Sequence, residues 1–557
     1  MSLRQGYQRK ILSTILLLWM VLFAYRITLY AGERGFFPFD QSIVFDGGYR
    51  VYRGQIPFKD FVIPFGPVAF WLQGLVFRLG GVDYGSYLLH AALINVLAAI
   101  LSWLILKTLF RRTIWLPFVG GLLTGVWFYP PNGTPWPEQT AFFFCLSALL
   151  GLLYGLTRRE MTSRYKRLLF FGAGMSLWFA FLSKQNAGAF FVPVCILLLT
   201  VDLFSPTSPN DSPALGWLAK YLLNLTVLAA GWLTGAIGFA LWLFLRSDVA
   251  NFWHYFFEIP VLKVGSERLP GSVWAWLEAI MLGRTPTVVV ILSLASVCVP
   301  LLSTLLAHGS EKESPGQRKN RLLAAVLAPG LVLYQNVFTI STNNHPANGV
   351  PFVGIIAAIG LGLTLSSSRR RHRSLRIATS GAMLVLMVVA FFVGAKIAAS
   401  RDVHGIFQKA TFPTYMSVEG LSALRWGQPT RIGKAITPDH IERVVAYLDG
   451  RGENFFVFPD FTIFYGLLGV PSPQPLVWFH EGLTYPGADH DDPSLDAWIV
   501  SDLKENQVRV VVIEQESHFH TERRLEDFPL LQAYLAEHFK LDETIGIFEL
   551  YVTRQGG

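Results

Sequence analysis

Charge is scarce in this chain. Asp, Glu, Lys and Arg make up 15% of 557 residues, while 52% are hydrophobic and the mean hydropathy is +0.41. A soluble fold of this composition would have too few polar residues to cover its surface, which excludes that class and leaves a membrane protein. Cysteine is scarcer still. Cys145, Cys195 and Cys298 each fall inside an apolar run, where a thiol behaves as a small hydrophobe, so no disulfide framework is expected. Nucleotide and acyl-transfer signatures are missing: there is no GxxxxGK[ST], no GxGxxG and no GxSxG. HEG (480–482) and HFHTE (518–522) lack zinc-site spacing and read as surface. No internal repeat or low-complexity tract is present.

The positive charge is abundant only in patches. A net charge of +8 can signal nucleic acid, but here the Arg and Lys clusters sit in short connectors between apolar runs, which makes them topology signals; no nucleic-acid partner is expected. Runs long enough to cross the hydrocarbon core lie near 11–30, 86–106, 114–129, 139–157, 168–183, 187–203, 220–245, 286–307, 322–340, 350–366 and 377–399. This predicts a polytopic α-helical membrane protein of about eleven spans. The first span has no small-residue cleavage site behind it and reads as an uncleaved anchor. With Arg4, Arg9 and Lys10 inside, the connectors at Lys107/Arg111/Arg112, 158–167, Lys312/Arg318/Lys319/Arg321 and 369–376 are also inside. The odd count puts the C-terminus outside. After about Arg401 the composition turns mixed and polar. Strands are expected at 454–458, 508–514 and 545–552 and helices at 437–449 and 525–539, a small extracytoplasmic α/β domain. Two domains follow: 1–400, containing a first outer loop at 31–85, and 401–557. The loop 471–493 is long enough to reach back to the membrane surface.

Most of the polar motifs fall on the outer side. The segment 36–81 is too polar to span and too apolar for a free loop, so short helices along the membrane surface are expected. It carries Asp40 directly after the first span, then Gly54, Pro57 with Phe58, Asp60, Gly66-Pro67 and Gly80. This pattern resembles the GT-C glycosyltransferases, nearest the bacterial relatives of protein mannosyltransferases and aminoarabinose transferases. In that family the first-loop Asp sits at the catalytic centre of sugar transfer from a polyprenyl-phosphate donor, which implies that role for Asp40. Gln41 stands where the family commonly has a second acid, which weakens the case for a paired-acid metal site; no cofactor is assigned, with a divalent cation left open. The chemistry suits a carboxylate, because a sugar hydroxyl is a poor nucleophile until a base takes its proton. Asp46 competes for the role, but in a helix Arg50 would lie at i+4 and neutralise it. The bland alternative for Asp40 is a helix cap. Asp60 fits the family pattern as a substrate-binding candidate, although structural pairing is the simpler reading of that residue.

Four further residues, Lys184, Glu138, His345 and Arg268, are substrate-binding candidates. Lys184, in SKQN at an outer boundary, is similar to the Lys that closes the fifth span in these transferases; a cation there suits a lipid phosphate, against the alternative of a snorkelling Lys. Glu138 opens the fourth span, where an acid either contacts sugar or only matches the helix dipole. His345 resembles the family's His before the tenth span, with Pro346 in place of the usual aromatic. Arg268 and Glu258 lie in the 246–285 loop, where the family often contacts the donor, with Phe252, Trp253, Tyr255 and Phe256 beside them.

The resemblance implies an inverting transferase at the outer face of a bacterial inner membrane. Asp40 would act as general base, the donor would be a polyprenyl-phosphate sugar among membrane lipids, and the acceptor a hydroxyl on a lipid, glycan or protein. A transporter or flippase is the alternative; it should show paired helix breaks and mid-span ionisable residues, whereas Arg26, His90 and Lys396 lie near span ends. A receptor working through its C-terminal domain would leave the outer-side polar motifs without a purpose.

Overall fold

The computed structural model describes residues 3–158, 160–203, 214–260, 287–305, 315–341, 350–366, 373–401, 411–427, 436–485, 493–515 and 521–554. A helix covers each of the eleven apolar runs. In chain order, interleaved with the short helices of the outer segment, these are α1 (Leu3–Gly32), α2 (Pro38–Tyr52), α3 (Val68–Gly80), α4 (Tyr84–Leu109), α5 (Trp115–Trp127), α6 (Pro137–Thr157), α7 (Ser163–Ser183), α8 (Gln185–Leu203), α9 (Ala214–Arg246), α10 (Val249–Trp253), α11 (Thr287–Leu305), α12 (Pro315–Ser341), α13 (Val353–Ser366) and α14 (Arg373–Ser400). Among the described residues seven are long and apolar enough to cross a membrane; α5, α11 and α13 are apolar but shorter within those residues, and α7 carries Arg164, Lys166 and Arg167 in its first turns.

Small residues let these helices touch. A Cβ on Gly354 of α13 would stand 2.2 Å from the Gly120 carbonyl of α5, the close backbone approach on which helix packing in lipid relies. Asn95 of α4 adds polar glue by donating to the Ala24 carbonyl at 3.1 Å, Thr28 Oγ1 at 2.7 Å and the Gly125 carbonyl at 2.9 Å, tying α1, α4 and α5.

The outer segment forms short helices, as its intermediate polarity suggests. α2 begins with Pro38 in its first turn, where a missing N–H costs nothing. Gln41 closes that terminus by accepting the Phe37 N–H on its side-chain Oε1 at 2.8 Å, so Asp40 is not the cap. The Gly47-Gly48 pair lets α3 pack tightly, with Phe70 and Gln73 against it. The spacing of Asp46 and Arg50 gives a fully buried ion pair, Nε to Oδ2 at 2.9 Å.

The C-terminal domain is built on a four-stranded sheet in the order β3-β4-β6-β5, with β3 (Phe455–Phe458) parallel to β4 (Val510–Glu514) and an antiparallel hairpin of β5 (Phe539–Ile545) and β6 (Phe548–Thr553). Before it lies a two-stranded pair, β1 (Thr414–Tyr415) and β2 (Arg425–Trp426). Helices α15 (Pro438–Arg451), α16 (Ile463–Leu468), α17 (Pro493–Glu505) and α18 (Pro529–His538) flank the sheet. The expected strand 545–552 is instead the end of β5, a turn at Gly546 with φ of 60°, and β6. The helix expected over 525–539 is only Pro529–His538, because Phe539 already belongs to β5. Neither β5 nor α17 was legible: β5 reads FKLDETI, with too many charges to look like a strand.

The two domains share a core. Phe36, Phe39, Phe45 and Tyr49 of the outer segment pack in one apolar cluster with Phe461, Phe464, Val477 and Trp478 of the soluble domain. The loop after α16 packs on the 36–81 segment. Val62 N–H donates to the Pro475 carbonyl at 2.8 Å, Arg50 Nη1 to the Gln474 carbonyl at 2.6 Å and Ser472 Oγ to Asp46 Oδ1 at 2.6 Å. Arg50→Ala leaves the Asp46 carboxylate buried and uncompensated, a loss of about 3–5 kcal/mol. The expected result is little monodisperse protein in detergent size-exclusion chromatography; a wild-type yield would mean that the pair is dispensable.

Candidate functional site

Asp40 stands on the first turn of α2, partly accessible, and its carboxylate makes no hydrogen bond or ion pair within the described residues. Burial, then the nearby charges of Glu138 and Asp460, push its pKa up to about 7. A carboxyl that titrates there can hold a proton or release it at physiological pH, the condition for general base work.

Glu138, whose charge reaches Asp40, pairs with Lys184. Glu138 follows Pro137 at the start of α6 and is buried, and Lys184 caps the C-terminus of α7 where the chain turns into α8. Their ion pair is 3.3 Å, with the Lys184 side chain 23% exposed. Its Nζ also lies 5.6 Å from the Phe65 ring centre, a cation–π contact. Among the described residues Glu138 Oε2 has no hydrogen-bond partner. The Gly66-Pro67 motif explains how the outer segment comes this close: a Cβ on Gly66 would stand 1.5 Å from the Leu182 carbonyl oxygen, so glycine alone fits. Gln185 completes the seam by donating to the carbonyls of Pro64 at 3.0 Å and Phe256 at 2.7 Å.

The C-terminal sheet domain supplies the other wall, which the sequence did not reveal. Asp460 follows β3 and Glu514 ends β4, so the parallel strands carry two buried acids at the same edge. Burial, then Asp460 and Glu522, hold the Glu514 carboxyl well above the usual range. Phe39, next to Asp40, packs against Trp478 at 5.3 Å and His480 at 5.8 Å, with the Arg524 guanidinium 5.4 Å over its ring. HEG (480–482) is therefore not plain surface: His480 is half-buried because Trp478, 4.4 Å away, draws it onto α2. The available signal was an acid directly after an all-apolar strand, as in FFVFPD and VVVIE.

The remaining candidates fall elsewhere. Asp60 is used by its own loop, accepting the Ile56 N–H on Oδ2 at 2.7 Å; its charge acts on Asp502, whose carboxyl burial and the neighbouring Glu505 push up to about 7. His345 and Arg268 lie outside the described residues. Glu258 pairs with His254 at 2.8 Å on a π-helical turn. Within the described residues no three His, Cys, Asp or Glu side chains group closely enough to hold a metal ion.

The fold has solved relatives. ArnT from Cupriavidus metallidurans bound to undecaprenyl phosphate is 13% identical, with 98% of this chain and 98% of that one covered and a TM-score of 0.54. The same protein in the apo state is also 13% identical, over 99% and 98%, at 0.50. The apo oligosaccharyltransferase of Archaeoglobus fulgidus is 11% identical over 97% of this chain and 74% of that one, at 0.48. No protein-family model and no curated protein sequence matches the chain. The chain shares the fold of these ArnT structures over 98% or more of its length.

Proposed function

We propose that the chain is a GT-C glycosyltransferase that moves a sugar from a polyprenyl-phosphate donor to an acceptor hydroxyl at the outer face of a bacterial inner membrane. The observation that carries this reading is Asp40, a carboxylate without a hydrogen bond or ion pair among the described residues, pushed up to about 7 by burial and by Glu138, which itself pairs with Lys184. The acceptor oxygen forms its bond to the sugar's anomeric carbon as the bond from that carbon to the phosphate oxygen breaks, and the hydroxyl proton passes to Asp40. Polyprenyl phosphate departs with its added negative charge met by Lys184, an electrostatic contribution largest in a partly dry site. Glu138 orients Lys184, while His345 and Arg268 are further candidates to contact donor phosphate and Asp60 remains a candidate for substrate. Undecaprenyl phosphate in the ArnT structure supports this lipid class.

Purified protein incubated with a panel of radiolabelled polyprenyl-phosphate sugars tests the reading. Release of label from at least one lipid, into water or an added envelope extract, is expected; a panel left intact removes the transferase assignment. The orientation is part of the same proposal, with the N-terminus cytoplasmic and the C-terminus outside. A reporter that fluoresces only in the cytoplasm, fused after Gly557, is expected to be dark; a bright fusion would put the soluble domain, and the acids it lends to the site, on the wrong side.

A further inference from the structure

Asp40 rides on a helix that the soluble domain grips at its other end. α2 has 15 residues, and Asp46 follows Asp40 by six positions, about 9 Å at 1.5 Å per residue. Both oxygens of Asp46 are engaged: Oδ2 accepts from Arg50 Nε at 2.9 Å and Oδ1 from Ser472 Oγ at 2.6 Å. Arg50 Nη1 donates to the Gln474 carbonyl at 2.6 Å. The side-chain Oε1 of that same Gln474 accepts from the Tyr465 hydroxyl at 2.8 Å, whose oxygen accepts the Val457 N–H of β3 at 2.8 Å. A continuous run of hydrogen bonds thus leads from α2 to the strand that delivers Asp460, the acid whose charge reaches Asp40. On its other side α2 rests on α3, where a Cβ at Gly48 would stand 2.4 Å from Gln73 Cγ.

Stability alone does not account for this arrangement. A buried ion pair contributes little that well-packed apolar side chains would not, and its documented use is to fix register. We propose that the Ser472–Asp46–Arg50–Gln474 connection is a positioning device through which the soluble domain sets Asp40 against Glu138 and Lys184, with Ser472 as its positioning residue. The proposal rests on the reading of Asp40 as the base. Among the described residues the charges that reach Asp40 are Glu138 at the start of α6 and Asp460 after β3; Lys184 pairs with Glu138 from the α7–α8 joint, Glu514 adjoins Asp460, and His480 and Arg524 flank Phe39. Loosening α2 lets Asp40 move away from Asp460 and toward water, and both changes favour its ionised form.

The test uses the full chain in nanodiscs with the polyprenyl-phosphate sugar that the wild type turns over, and undecaprenyl phosphate alone as the binding probe. Ser472→Ala is expected to lower kcat about 10-fold, because a small misplacement of a reacting group is costly. Donor KM and undecaprenyl phosphate binding should stay at wild-type values, and the midpoint of the acid limb of the pH–rate profile should fall below that of the wild type. Ser472→Thr, which keeps the hydroxyl, should restore both kcat and midpoint. Wild-type kcat and midpoint in Ser472→Ala overturn the proposal; so does a lower rate that merely follows the loss of folded protein at an unchanged midpoint. Asp40→Asn in the same series separates the two claims. If it is inactive while Ser472→Ala keeps its midpoint, only the positioning role falls; if it is as active as the wild type, the base falls and the positioning role with it.

Discussion

Asp40→Asn is expected to abolish the proposed sugar transfer and, above neutral pH, to leave the protein more stable than the wild type. The first half follows from chemistry: an amide cannot accept the acceptor's proton, and a positioned base contributes roughly 10² to 10⁴ in rate. The second half follows from linkage. Asp40 has a folded-state pKa of about 7 against an ordinary 3.8, so the folded chain holds its proton more tightly than the unfolded one. Its contribution to stability is fully present below the unfolded value and is lost as pH rises through the folded value. Above about 7 the wild type carries a half-buried charge near Glu138 and Asp460, and Asn carries none. Thermal unfolding at pH 8 should therefore show a higher Tm for Asp40→Asn, with the difference fading toward pH 5, where the wild type is protonated as well. In the wild type the rate should rise with pH and reach half its plateau near 7; a base at the ordinary carboxylate value would give a flat profile there. A variant with wild-type rate at matched protein levels removes Asp40 from the site, and one that is inactive but destabilised at pH 8 makes it a structural residue.

The parts of this arrangement that were legible in the sequence are those set by local spacing. Asp46 and Arg50 are four residues apart, so one helix suffices to pair them, and apolar length alone located the helices of the membrane domain. Lys184 and Glu138 were each visible at an outer boundary, but their ion pair was not, because 46 residues and two helices separate them. Asp460 and Glu514 were missed for the same reason on a larger scale. Asp460 is brought within reach of Asp40, and Glu514 of Asp460, only after β3 and β4 pair in parallel, a non-local event that no periodicity in either segment announces. The loop from Ser472 to His480 was expected only to reach toward the membrane surface, yet Ser472, Gln474 and Trp478 are buried, and they contact Asp46, Arg50 and Phe39 of α2. Polar side chains are tolerated there because the outer segment answers them with Asp46 and Arg50, and neither half of that match is recognisable alone.

Lys184→Ala is expected to weaken donor binding by roughly 10- to 150-fold, the equivalent of the 1.5 to 3 kcal/mol that a charge-assisted hydrogen bond contributes. The complication is Glu138. With its side chain 5% exposed and 3.3 Å from Lys184, it becomes a buried carboxylate without its cation when Lys184 is removed, and the single variant could lose activity through folding alone. Lys184 could equally be nothing more than the counter-ion of Glu138. The double variant Glu138→Gln/Lys184→Ala separates these roles, because it removes the orphaned charge along with the cation. If Lys184 meets the donor phosphate, the double variant should recover folded yield and Tm but not affinity for undecaprenyl phosphate, read by isothermal titration in nanodiscs. Lys184→Arg, which keeps the charge and adds a planar fork suited to phosphate, should retain part of the affinity. Glu138→Gln alone should bind the donor at least as tightly as the wild type, since Lys184 then has no carboxylate to leave when phosphate arrives. Full recovery of lipid affinity in the double variant would reduce Lys184 to a structural partner of Glu138, and the phosphate would have to be held by Arg268 or His345.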